Sequence, residues 1–84
     1  MYKGKLENWQ EIEWAGKQTR LYGNVHVHEN AKEGEEWITN EVETYYTSYD
    51  GLHAITASCS DYSLGEPAKK DRTLEEIIRS FREN

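Results

Sequence analysis

Only one cysteine, one proline, one methionine and one phenylalanine occur among these 84 residues. With Cys59 alone no internal disulfide can form. No motif around it supplies the environment that activates a thiolate, so Cys59 is expected to pack as a small apolar group. No apolar run is long enough to cross a membrane, and no basic-then-apolar leader opens the chain. The expectation is a soluble, intracellular protein. Also missing are a G-x-S-x-G elbow, a phosphate-cradling glycine loop and a Cys/His zinc framework, so neither an enzyme nor a cofactor is expected. Eighty-four residues make one domain, close to the size at which a single core only just outweighs chain entropy, and burying a second surface in a homodimer would help.

Aromatic residues are plentiful by contrast. Apolar residues reach only 36%, yet aromatics make up 12%, with Trp9, Trp14 and Trp37 beside six tyrosines. Large rings bury much area per residue and suit strands, which sets this chain apart from disordered ones of similar charge. The formal charge of −6 is local. Residues 29–50 hold Glu29, Glu33, Glu35, Glu36, Glu41, Glu43 and Asp50 against the single base Lys32, while the flanking segments are nearly neutral. Such a surface attracts basic partners and repels nucleic acid and anionic membranes.

Periodicity predicts strands followed by one helix. Glu7 to Trp14 alternates, Ala15-Gly16-Lys17 supplies a turn, and Gln18 to His28 continues as a second strand with Leu21, Gly23, Val25 and Val27 on one face. Glu29 to Glu36 reads as a charged loop. Trp37 to Tyr49 reads as one long strand, Asp50-Gly51 as a type I′ turn, and Leu52 to Cys59 as its antiparallel partner. Asp61 to Leu64 is a candidate short strand, closed by Gly65-Glu66-Pro67. Thr73 and Glu76 form a capping box, and Leu74, Ile77, Ile78 and Phe81 give one apolar stripe. The fold class is α+β: an antiparallel sheet of four or five strands over residues 7–64, with a C-terminal helix at 73–83 on one face or end. A small barrel plugged by the helix is the alternative.

Two constellations could carry function. Glu41, Glu43, Tyr45 and Tyr49 share one strand parity next to the acidic loop. An acidic, aromatic face suits recognition of lysine and arginine by ion pairing and ring contact together. The candidate partner-binding residues are Glu33, Glu35, Glu36, Trp37, Glu41, Glu43, Tyr45 and Tyr49. Independently, His26 and His28 at i, i+2 on one strand face, with His53 and Glu33, could form a metal or small-ligand site. Their spacing resembles the metal motif of the cupins, without the framing glycines or the distal histidine strand. Lys69, Lys70 and Arg72 are too few, and too balanced by Asp71, to indicate direct nucleic-acid binding.

The run Leu21-Tyr22-Gly23-Asn24-Val25, then His28, Gly34, Ile38-Thr39, Val42 and Asp61-Tyr62-Ser63-Leu64-Gly65-Glu66-Pro67, resembles small β-rich proteins encoded by bacteriophages and prophages. Those proteins read roughly as G-x-V-x-x-H, I-x-T-x-x-V and Y-x-L-G-x-P, and the match covers about residues 21–67. It departs at Asn40, where serine is usual, and in the added helix. The resemblance implies a small acidic phage protein acting in the bacterial cytoplasm. Such proteins often inhibit host or defence proteins, anti-CRISPR and anti-restriction proteins among them, and several mimic the charge of DNA. It thus implies an inhibitor of a basic host protein, such as a CRISPR-Cas component, or a minor virion protein.

Overall fold

A computed structural model describes residues 1–83. Among them six strands precede one helix: β1 (Tyr2–Trp14), β2 (Gln18–His26), β3 (Glu35–Ile38), β4 (Val42–Ser48), β5 (Gly51–Thr56), β6 (Asp61–Leu64) and α1 (Leu74–Glu83). The strands form one sheet in the order β3-β2-β1-β6-β5-β4. Its ladders are antiparallel except that of β1 with β6, which is parallel. The α+β class holds, but the strands number six rather than four or five and the sheet is mixed. The mixed character comes from Tyr2–Leu6, which starts β1 earlier than expected and supplies the edge beside which β6 lies, and the sixth strand from a division of the expected Trp37–Tyr49 strand.

The expected long strand from Trp37 to Tyr49 is two strands. Thr39, Asn40 and Glu41 interrupt it, and the pieces belong to opposite ends of the sheet. Three connecting residues span at most about 14 Å. The sheet must therefore curl until its ends approach. The connection is pinned on both sides: Thr39 donates its N–H to the Leu21 carbonyl at 2.9 Å, and the Glu41 carbonyl accepts from Ala57 N–H at 2.7 Å. No ladder joins β3 to β4, so the result is a curled, open sheet.

Curling creates two cores, one on each side. Inside lie Leu6, Leu21, Val25, Ala54, Tyr62 and Leu64, flanked by Trp9, Trp37, Val42 and Tyr45. Outside, Ile12, Tyr22 and Ile77 pack with Trp14, Ile38 and Leu74 beneath α1. A bulge in β1 lets one strand serve both cores. The register slips between Glu7 and Gln10, where Asn8 takes a φ of 54°, so Leu6 and Trp9 face inward while Ile12 and Trp14 face out. Gly23 on β2 accommodates the bulge. A Cβ there would come within 2.8 Å of the Glu7 carbonyl oxygen and 3.1 Å of Trp9 Cα.

The helix is delivered by a clasp along β1. Gly65 and Ala68 donate N–H to the Leu6 and Trp9 carbonyls, and Trp9 Nε1 donates to the Gly65 carbonyl at 2.9 Å. Buried Gln10 then holds Arg72 like a strand neighbour. Its Nε2 donates to the Arg72 carbonyl and its Oε1 accepts Arg72 N–H, both at 2.8 Å. The capping box forms as its spacing predicts: Glu76 N–H donates to Thr73 Oγ1 at 3.2 Å, and Thr73 N–H donates to Glu76 Oε1 at 3.0 Å. Ile77 is fully buried, whereas Phe81 stays 39% exposed.

Three local expectations are corrected. At the β4–β5 turn the positive φ falls on Gly51, at 118°, and on neither Tyr49 nor Asp50, so the turn is not type I′ at Asp50-Gly51. Tyr49 and Asp50 take its centre, and Gly51 opens β5 opposite Ser48. Cys59 is exposed instead of packed. It occupies the β5–β6 turn with a φ of 63°, its N–H donating to the Thr56 carbonyl. Finally, β2 ends at His26 because Val27 leaves the extended region with a φ of 58°, an uncommon and strained state for a β-branched residue. No helix among the described residues is long and apolar enough to cross a membrane.

Candidate functional site

The break at Val27 decides the fate of the histidines. With the strand ended, the i, i+2 relation no longer puts His26 and His28 on one face. His26 stays near the surface, its Nδ1 3.1 Å from Glu33 Oε2. The same Glu33 carboxylate accepts Val27 N–H, and these two contacts hold its pKa below the usual carboxylate value. His28 turns inward, its ring 4.4 Å from that of Trp37 and 6.3 Å from that of Tyr62. Its Nδ1 accepts Asn30 N–H at 3.1 Å. His53 lies on β5, in another part of the sheet. The structure therefore places His26, His28 and His53 in three separate environments. Among the described residues no group of three or more His, Cys, Asp or Glu side chains could hold a metal ion.

His53 is the centre of a polar cluster that pattern reading missed. Buried to 6% exposure, it meets Asp61 Oδ1 through Nδ1 and Asp50 Oδ1 through Nε2, each at 2.8 Å. The Tyr46 ring stacks on the imidazole with centroids 4.8 Å apart, and its hydroxyl donates to Asp61 Oδ2. Hydrogen bonds to Asp50 and Asp61 push the His53 pKa up, and the bond to His53 pulls the Asp50 pKa down. The Tyr46 hydroxyl, held by Asp61, is pushed up to about 12. Both ring nitrogens already have carboxylate partners. In this state neither can take a proton from a substrate, so the cluster serves as an electrostatic pin for the β4–β5 hairpin. The signals available in sequence were Asp50 three residues before His53 and a tyrosine that the register places opposite it.

The acidic and aromatic candidates separate into internal and surface groups. Glu36 turns under the helix, where its carboxylate accepts from the Tyr22 hydroxyl and from Ser80 Oγ at 2.9 Å, with Arg72 Nη1 3.7 Å away. Burial, then the bond to Glu36, pushes the Tyr22 pKa up to about 12. Trp37 belongs to the inner core, its Nε1 donating to the Tyr62 hydroxyl at 3.1 Å. Tyr45 also packs inward, its hydroxyl donating to Glu11 at 2.5 Å; burial, then Glu11, raises its pKa. The expected common parity of Glu41, Glu43, Tyr45 and Tyr49 fails because β4 bulges between Val42 and Thr44. Val42 and Tyr45, three apart, both pack on the inner core.

Glu33, Glu35, Glu43 and Tyr49 are exposed and Glu41 is half-buried. Glu33 is tied to its own loop, as described, and Glu35, at the start of β3, accepts Lys32 N–H at 3.4 Å, while Glu41, Glu43 and Tyr49 stand around the β3–β4 connection and the β4 hairpin. No lysine or arginine occurs from residue 33 to residue 68, a stretch holding Glu33, Glu35, Glu36, Glu41, Glu43, Asp50, Asp61 and Glu66. At its centre β4 pairs with β5 alone and contains no fully buried residue. Compared with models of protein families, with curated proteins and with solved structures, the chain matches none.

Proposed function

We propose that this protein is a non-enzymatic interaction module that binds a partner through the acidic β3–β4 region, with Glu35, Glu41, Glu43 and Tyr49 as contacts. The carrying observation is the segment 33–68, which holds no lysine or arginine and supplies surface carboxylates around a sparsely buried strand. A surface of one sign selects a partner of the other and speeds encounter. In the specific form that the bacteriophage resemblance adds, the partner is a host protein with a nucleic-acid-binding surface, such as a CRISPR-Cas component, and this chain inhibits it by occupying that surface.

The experiment compares wild type with the triple variant Glu35→Lys, Glu41→Lys, Glu43→Lys as baits in bacterial lysate, washed at rising salt and read by mass spectrometry. Glu36 is left intact because reversing it would break the contacts beneath the helix. A basic nucleic-acid-handling protein retained by wild type, absent from the variant and released above roughly 0.3 M salt is the expected result. The same proteins on both baits, released without regard to salt, would remove the electrostatic basis.

A further inference from the structure

We infer that β4 is a docking edge to which an extended, basic segment of a partner adds as a further strand. This rests on the acidic reading above and names how the contact is made. An end strand presents the N–H and C=O groups of alternate residues to one side with no ladder partner. Both ends of this sheet are open, yet they differ. β3 has four residues, whereas β4 has seven and carries no proline, lysine or arginine along its edge. Short strands, prolines and lysines are the usual protections against strand addition. β4 has only its bulge near Glu43.

The exposed side chains of β4 and its turn suit a strand partner. Thr44, Tyr46 and Thr47 are exposed along β4, and Tyr49 stands wholly in solvent at the turn. The Tyr45 carbonyl accepts from the hydroxyl of its own neighbour Thr44 at 3.3 Å, a local bond that an incoming backbone donor can replace. Tyr46 is braced against His53, so the strand is held extended before any partner arrives.

Charge selects the occupant. Glu43 stands near one end of β4 and Asp50 just past the other, and the inner side is approached by Glu11 through Tyr45. A second copy pairing β4 with β4 would bring two acidic edges together with no base on either. A segment with lysine or arginine toward both ends of a stretch of roughly six residues, about 20 Å when extended, meets Glu43 at one end and, at the other, the solvent-facing side of Asp50, whose Oδ1 His53 already holds. Main-chain bonds supply affinity in such an addition, and the end charges set orientation.

The test uses the whole protein, isotopically labelled, and a synthetic peptide of alternating threonine and valine with lysine at each end. Backbone NMR should show shifts confined to residues 42–52. Two N-methylated peptides, each blocking one alternate set of N–H groups, divide the possibilities. Strand addition predicts that one set loses at least about tenfold in affinity, a little over 1 kcal/mol, while the other stays within about twofold. If both methylated peptides bind equally and salt weakens them, strand addition is overturned and the acidic reading stands. If the methylation asymmetry appears but a peptide with glutamate in place of lysine binds as well, the acidic reading fails and the basic occupant with it. Shifts on β3, no shifts at roughly millimolar peptide, or a concentration-dependent dimer that protects β4 amides would each overturn the proposal.

Discussion

The outer face of this sheet is built in two ways. Over β1, β2 and β3 it is apolar, with Ile12, Trp14, Tyr22 and Ile38, and α1 covers it. Over β4, β5 and β6 it is polar, with Tyr46, His53, Asp61 and Ser63 bonded among themselves or to Tyr2, and no helix lies there. An apolar outer face must be covered, whereas a face of satisfied polar groups can stay in water. The difference teaches why the interaction surface falls where it does. In the helix-covered half Glu36 turns inward against Tyr22, Ser80 and Arg72, and the bare half ends in an exposed strand with Glu43 on it and Tyr49 at its turn.

The sharpest way to break this contrast is to undock the helix. Ile77→Ala removes a fully buried side chain from the outer core and should cost about 3 kcal/mol in urea denaturation. Amide exchange should rise in β1–β3 and little in β4–β5; equal rises throughout would show that the halves unfold as one. Glu36→Ala comes next, at about 2 kcal/mol, because it strips a charged acceptor from the Tyr22 and Ser80 hydroxyls. The ionisation of Tyr22, followed by its ultraviolet absorbance, should then move down from about 12, since Glu36 is the second cause of its elevation after burial. Thr73→Ala removes the helix cap and should cost about 1 kcal/mol. A value near zero would mean that the Gln10 clasp on Arg72 alone fixes the helix start.

Much of the covered half was legible in the sequence, because its signals are local. The cap spacing from Thr73 to Glu76, the apolar stripe centred on Ile77 and the turn at Ala15-Gly16-Lys17 each involve neighbours in the chain. What escaped was set by distant pairing. The parallel contact of β6 with β1 joins residues far apart in sequence, and the kink at Thr39–Glu41 occurs within a run of good strand formers. The bulges near Asn8 and Glu43 mattered most for the site, since each reverses which side chains face the core and alternation cannot foresee them. Glu36 and Trp37 read as surface contacts because Glu29–Glu36 reads as a loop, whereas Glu35–Ile38 pairs with β2 and turns both side chains into the cores. The acidity of the region, by contrast, is compositional and was visible directly.

The smallest expected stability effect concerns the pin of the bare half, and its pH dependence distinguishes it from the others. His53 has its pKa raised by Asp50 and Asp61, so the stabilisation from its imidazolium is fully present below the ordinary value of about 6.5 and is lost as pH rises through the raised one. Asp50 is shifted the other way. Its contribution is present above the ordinary carboxylate value of about 3.9 and is lost as pH falls through the lowered one. The stability gap between wild type and His53→Gln should therefore be widest between about pH 4 and 6.5 and shrink in alkali, while the Thr73→Ala gap stays level there. It should remain smaller than the loss of the cap, because solvent screens the pair with Asp50, which is 48% exposed, and Asp61 keeps the Tyr46 hydroxyl as a donor once the imidazole is gone. A gap unchanged from about pH 5.5 to 9 would mean that His53 braces the hairpin through ring stacking on Tyr46 alone, and that charge plays no part in holding β4 extended.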